Sequence, residues 1–226
     1  GYNYMENNYE RDHEMFPERV MLGSENFAKE IGYHWPLVER LPYVIGEFTW
    51  TAWDYLGEAG IGKAVYVDED DPLVQKGSWS LMPQPGSPFP WRLANDADFD
   101  ITGHMLPQGA YRSVVWGSNK TYLYSMHPET FGKVEMMTMW GFPAVLPNWN
   151  YAGYEGEPIE LVVYSNAEEV EVLVNGKSIG RKPVCMDKPM PNSVHFETVY
   201  EPGKVEAVSY CGGKEISRDV LMTAGE

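Results

Sequence analysis

The chain has 226 residues, enough for one large domain or two modest ones, and 43% of them are hydrophobic, enough to bury a core. A net charge of −16 repels phosphate backbones and anionic lipid, and no stretch approaches the roughly 18 apolar residues of a membrane span. Nucleic acid and membrane are therefore not expected as partners.

In chain order, Asn7-Asn8-Tyr9-Glu10 offers an N-cap with a Glu three residues on, and Pro17 stops the helix that follows. Val20-Met21-Leu22 is a short unalternating apolar run, as in a strand buried on both faces of a parallel sheet. A short helix is expected from Trp35 to Leu41, with Pro36 at its start and Pro42 after it. Tyr43–Trp53 is rich in β-branched and aromatic residues and reads as a strand. Helix, strand, helix, strand is α/β repetition. Residues 54–98 read as loop, with Pro and Gly recurring in Met82-Pro83-Gln84-Pro85-Gly86-Ser87-Pro88; a loop that long is functional or hides elements. Residues 100–116 suit one more helix.

After residue 118 the rhythm becomes period two. Ile159–Tyr164 precedes a turn at Ser165-Asn166. Val170–Val174 alternates and ends at Asn175-Gly176, the strongest short hairpin signal. Val205–Tyr210 is another strand, ended by Gly212-Gly213. Short strands with regular turns predict an immunoglobulin-type β-sandwich. Cys185 and Cys211 are too few for a disulfide framework and are expected to be free and buried. Gly1 in place of Met, with no signal peptide, leads to the expectation that the chain has been cut from a longer one.

The candidate chemistry lies at strand ends. Glu25 follows the buried run and the small pair Gly23-Ser24. At the C-terminal end of a parallel strand a carboxylate points into a site; alternatively, it sits in the first turn of the next helix, favoured by the helix dipole. Phe48–Glu58 carries Trp50, Trp53, Tyr55, Asp54 and Glu58 at the end of the last apolar strand. Ring faces there suit sugar C–H surfaces and the acids suit hydroxyls; a core aromatic cluster with solvated acids is the other reading. Glu47 lies earlier in the strand and suits a structural role. His13, His34, His104, His127 and His195 show no metal-ligand spacing, and no nucleophile elbow occurs. Neither a metal nor a cofactor is expected.

These residues carry a resemblance. Gly1-Tyr2-Asn3-Tyr4, Val20–Glu25 and Trp50–Gly60 resemble the last three strand ends of a family 2 glycoside hydrolase barrel. Asp98–Gly103, Pro107-Gln108 and Tyr111-Arg112 resemble the approach to its final helix. Tyr164–Lys177 resembles the sandwich domain behind that barrel. The resemblance implies an α/β plus all-β chain, with the end of a (β/α)8 barrel over 1–117 and an immunoglobulin-like β-sandwich over 118–226. It implies a retaining β-glycosidase, of β-galactosidase type, with a carbohydrate partner. Glu25 falls on the catalytic nucleophile, Tyr4 near the tyrosine that bonds it, with Asn3 beside it. Trp53 falls on the floor of the sugar subsite, and Asp54 and Glu58 on nearby polar ligands or supports. Family members with a sandwich of this kind are exported by polysaccharide-degrading bacteria, so a periplasmic or extracellular location is expected. The family's acid/base Glu follows an Asn, and Asn-Glu occurs nowhere in this chain. A full barrel takes about 250 residues. The chain alone is therefore expected to be inactive, with an incomplete barrel that dimerises into a homo-oligomer, packs unusually or is poorly ordered. The competing expectation is a non-catalytic carbohydrate-binding or structural sandwich module.

Overall fold

The computed structural model describes residues 1–77, 91–186 and 189–225. The Met82–Pro88 run lies outside them. The elements run β1 (Tyr2–Asn3), α1 (Tyr9–Met15), β2 (Met21–Phe27), α2 (Ile31–Arg40), β3 (Val44–Trp50), β4 (Ala64–Val67), α3 (Pro72–Lys76) and α4 (Pro107–Val115). Eight strands follow: β5 (Tyr122–Ser125), β6 (Val134–Met137), β7 (Pro158–Tyr164), β8 (Glu169–Val174), β9 (Lys177–Pro183), β10 (Ser193–Val199), β11 (Lys204–Cys211) and β12 (Lys214–Met222). Strands dominate and the helices are few.

The chain forms two compact units that interleave. Among the described residues one takes 1–63, 91–112 and 137–142; the other takes 64–77, 113–136 and the chain from 143 onward. The single division expected at 117/118 is thus crossed by 64–77 and by 137–142.

In the first unit β1, β2 and β3 form a parallel sheet in that order. The expected strands are present, but β2 begins one residue later than the apolar run and carries on through Glu25 to Phe27. Its core is small: Tyr9, Met21, Leu41 and Val44 are buried, with Tyr2, Leu37, Val38 and Tyr43 against them. Helix α1 starts at Tyr9 after a 3-10 turn at Glu6–Asn8, and no Asn side chain caps it. Helix α2 starts at Ile31, earlier than Pro36 suggests. Pro36 lies inside it and forfeits the hydrogen bond to the Gly32 carbonyl. Burial of Ile31 and His34 outweighs that loss.

The expected 54–98 loop contains β4 and α3 in its described part. Helix α3 has local signals of its own: Asp71 Oδ1 accepts from the Leu73 amide at 2.8 Å, Pro72 follows it, and Gly77 with φ 74° closes the helix. Helix α4 starts at Pro107, not at 100, because Asp100 diverts the chain. Its Oδ1 accepts from the backbone N–H groups of Thr102 and His104 at 2.8 and 3.0 Å, an arrangement that competes with helix.

The second unit is a β-sandwich. One antiparallel sheet has the order β10-β7-β5, the other β12-β11-β8-β9, and β4 pairs with β6. Alternate positions such as Leu161, Val163, Val172, Phe196 and Val205 fill one core with Trp149 and Tyr200. The turn at Asn175-Gly176 joins β8 to β9 with φ of 50° and 79°, and Gly212-Gly213 joins β11 to β12 with φ of 54° and 73°. Both central residues take positive φ, which matches the twist of the flanking strands. Cys185 and Cys211 are free, and each is half-buried rather than fully buried. Among the described residues no helix is long and apolar enough to cross a membrane.

Candidate active site

The site is set by one extra residue in β2. Gly23 pairs with Glu47 and Asn26 with Thr49, so three steps along β2 oppose two along β3. On the other side Tyr2 pairs with Gly23 and Asn3 with Glu25, two steps against one. Both neighbours thus record a bulge at Ser24-Glu25. Bulges re-aim side chains and gather beside active sites. Glu25 therefore sits on a strand, not in a helix turn.

Its carboxylate is held on both oxygens. The Tyr4 hydroxyl donates to Oε1 at 2.6 Å, and Asn3 Nδ2 donates to Oε2 at 3.2 Å. The Tyr4 backbone N–H also donates to the Glu25 carbonyl at 2.9 Å. Tyr4 has φ 51°, a left-handed conformation that disfavours a bulky residue and persists only where surroundings impose it. Its ring stacks on Phe27, with centroids 4.2 Å apart. Burial raises the Tyr4 phenol well above its ordinary range, and the hydrogen bond to Glu25 adds to that; an indole donor, Trp140, opposes it. A protonated phenol and an amide are both donors, so each oxygen of the Glu25 carboxyl group accepts one hydrogen bond and its plane is fixed.

Behind the rim lies a buried polar layer. Asn26 Nδ2 donates to the Glu6 carboxylate and lies 3.5 Å from His34 Nδ1. Burial raises Glu6 and lowers His34. Gly23 is required here: a Cβ would lie 2.6 Å from Asn26 Oδ1 and 2.8 Å from the Tyr9 hydroxyl. Arg112 on α4 binds two carboxylates, Asp98 through Nε at 2.6 Å and Glu47 through Nη1 at 3.0 Å. Burial pushes Glu47 up to about 7, and Arg112 acts against that shift. Glu47 thus lies in a structural ion triplet.

The structure brings Asn3, Tyr4 and Glu25 into one hydrogen-bonded group and puts Trp53, Asp54 and Glu58 in the segment after β3. The Trp53 ring stacks on Phe99 at 5.6 Å and is 55% exposed. Asp54 is buried, and its Oδ1 accepts from the backbone N–H groups of Tyr55 and Asn95 at 2.9 and 3.0 Å, so it ties two loop strands together. Glu58 accepts from the Tyr55 hydroxyl. Beside them Asp96 is fully buried, and among the described residues neither of its oxygens has a well-formed hydrogen bond, the Trp50 indole being only a loose donor. Burial first, then the charge of Asp54, pushes Asp96 up to about 7; the Trp50 indole acts weakly against this.

Sequence reasoning missed two neighbours, Phe27 and Trp140. Trp50 ends β3 in register with Phe27, two residues past Glu25, and is 37% exposed. Strand alternation from Glu25 to Phe27 and the pairing of the two strand ends were the available signals. Trp140 donates its Nε1–H to the Tyr4 hydroxyl oxygen at 2.7 Å, across 136 positions of sequence. No local pattern announces that contact. Among the described residues no group of three or more His, Cys, Asp or Glu side chains could hold a metal ion.

The sequence profile of a family described as "Domain of unknown function (DUF4982)" matches residues 156–217. A provisionally named β-glucuronidase of Formosa agariphila is 29% identical over 196 residues, which is 84% of this chain and 14% of that protein. A β-galactosidase of Bacteroides ovatus, BoGH2A, is 26% identical over 196 residues, again 84% of this chain and 16% of that protein. The crystal structure of a glycosyl hydrolase family 2 member from Bacteroides cellulosilyticus matches all of the chain at 35% identity and a TM-score of 0.79, over 28% of its own length. The chain thus spans well under a third of each relative. It is a homologue of the family 2 glycoside hydrolases, matching a segment of those longer proteins.

Proposed function

We propose that this chain is part of a retaining β-glycosidase in which Glu25 is the nucleophile. The observation that carries the reading is the Glu25 carboxylate at the end of a parallel strand, oriented by the Tyr4 hydroxyl and the Asn3 amide. In this reading residues 1–117 are the end of a (β/α)8 barrel and 118–226 an immunoglobulin-like sandwich. The three-stranded parallel sheet with α1 and α2 between its strands, and the bulge at the rim, support the first assignment.

A retaining enzyme needs two carboxyl groups about 5 to 5.5 Å apart. One attacks the anomeric carbon as the leaving oxygen takes a proton from the other. Water then releases the sugar from the ester formed with the nucleophile. Glu25 has the placement of the first group: a donor on each of its oxygens fixes the plane of its carboxyl group. Neither oxygen is bonded to a second carboxyl, and the sequence has no Asn-Glu pair to supply the acid/base. The 226-residue chain alone is therefore inactive on unactivated glycosides. Trp53 floors the sugar subsite, Glu58 lies nearby, and buried Asp54 supports the loop that carries them. The substrate is a terminal β-galactoside in an extracellular or periplasmic setting, with homo-oligomerisation covering the exposed strand edges.

The test is covalent trapping with 2,4-dinitrophenyl 2-deoxy-2-fluoro-β-galactoside. That leaving group departs without a general acid, so an absent acid/base does not mask the nucleophile. A sugar mass on the peptide containing Glu25, lost in Glu25→Gln, is expected. Trapping with the matching β-glucuronide instead would reassign the sugar. Modification of a different residue would sink the assignment of Glu25. Clear turnover of an ordinary aryl β-galactoside, abolished in Glu25→Gln, would refute the claim of inactivity.

A further inference from the structure

We propose that Trp140 is a positioning residue for Glu25, acting through the Tyr4 hydroxyl to aim its single proton at the carboxylate. This rests on the reading of Glu25 as nucleophile only for its catalytic consequence. The geometry stands by itself.

An indole N–H can only donate, and a phenol carries one proton. Trp140 donates to the Tyr4 oxygen at 2.7 Å, and Tyr4 stands 2.6 Å from Glu25 Oε1. With its oxygen already accepting, Tyr4 has its proton left for Glu25. Hydrogen bonds in series polarise one another, so the indole also makes the phenol a stronger donor. Tyr4, Phe27 and Trp140 form an aromatic group: Tyr4 stacks on Phe27, and Trp140 meets both edge-on, at 6.1 and 5.8 Å.

Trp140 is itself held in place. The Thr138 N–H donates to the Lys63 carbonyl at 3.1 Å, and its hydroxyl donates to the Ile61 carbonyl. The Gly141 N–H closes a turn onto the Thr138 carbonyl at 3.0 Å. A Cβ at Gly141 would stand 2.8 Å from Met137 Cβ and 3.1 Å from the carbonyls of Lys63 and Thr138. The turn is therefore tight enough to require glycine beside Trp140. A core tryptophan needs neither a fixed turn nor a strained tyrosine as its acceptor.

The experiment is 1H–15N NMR on the labelled 226-residue chain, following the Trp140 indole N–H in the native sequence, Tyr4→Phe and Glu25→Gln. Tyr4→Phe removes the acceptor, so the resonance moves upfield and exchanges with solvent about fivefold faster, the effect of losing one hydrogen bond of about 1 kcal/mol. Glu25→Gln, two groups away, also moves the indole resonance, because the Tyr4 proton then faces a neutral acceptor. Gly141→Ala keeps the indole but displaces it and produces the Tyr4→Phe spectrum. An indole resonance indifferent to Glu25→Gln would overturn the proposal, whatever Tyr4→Phe does. In the trapping assay Trp140→Phe lowers the maximal rate of Glu25 modification about fivefold, with the half-saturating probe concentration unchanged. Absence of trapping in the native chain would count against Glu25 as nucleophile, and the NMR comparison would still decide the relay.

Discussion

Replacing Asp96 by Asn removes a buried acid that pairs with no cation among the described residues. Asp96 is fully buried, has no well-formed hydrogen bond on either oxygen among the described residues and faces the charge of Asp54. Its carboxyl lies near 7 in the folded chain against 3.8 for a free side chain. The folded state therefore holds the proton more tightly than the unfolded state does. This contribution is fully present below about pH 4 and is lost as the pH rises through about 7. A shift of about three pH units corresponds at most to roughly 4 kcal/mol at pH 8, and relaxation around the buried acid leaves about 2. Asn keeps the shape and stays neutral. It too is unpartnered, but so is the protonated acid, and that cost largely cancels.

Hydrogen exchange reads the effect locally. The amides of Thr51, Asp98 and Phe99 donate to the carbonyls of Asp96, Thr51 and Ala52, so they report on the ladder that Asp96 disturbs. In Asp96→Asn these amides should exchange about 30-fold more slowly than in the native chain at pH 8, the equivalent of about 2 kcal/mol. At about pH 3, below the unfolded value, the two chains should be nearly equal. Equal exchange at pH 8, or faster exchange in the variant, would refute the reasoning, because an ionised and unpaired Asp96 could then not be costly.

Arg112→Ala leaves Glu47 and Asp98 buried without their cation, and breaking such a group costs about 3–5 kcal/mol. The first unit should become protease-sensitive while the sandwich amides stay protected; equal resistance of both would count against the triplet. In the sandwich, Gly203→Ala should be worse than Gly176→Ala. Gly176 has φ 79° and open space around a Cβ, so only backbone strain of about 1 kcal/mol is at stake. At Gly203 a Cβ would lie 2.1 Å from Asn175 Oδ1, the atom that accepts from the Lys204 amide at 2.9 Å. Evicting that side chain adds the loss of its hydrogen bonds, for about 2–3 kcal/mol in all. Urea unfolding of the sandwich signal ranks the two, and a reversed order would show that the Asn175 cradle is dispensable.

What the amino-acid order determined by itself was local. Asn175-Gly176 and Gly212-Gly213 turn where they should because positive φ is a property of those residues, whatever surrounds them. Period-two burial in β8 follows from side chains alternating across a strand, whereas β11 is buried on both faces from Val205 to Ser209, which only the packing of the sandwich decided. Glu25 was legible as a strand-end carboxylate because Val20–Leu22 marked a strand, although Val20 is exposed and only Met21 of that run is buried; its pairing with Tyr4 came from the family resemblance alone. Helix starts were less legible: Pro36 pointed to a boundary, and the burial of Ile31 and His34 overrode it. Tertiary structure alone decided the rest. The bulge at Ser24-Glu25 exists only as a mismatch counted against two neighbouring strands. Asp96 reads as one more acid in an acidic loop until burial strips it of water. Trp140 meets Tyr4 across 136 residues, and Arg112 meets Glu47 across 65. Such contacts are set by where the whole chain packs, and neither residue's sequence neighbours contain that information.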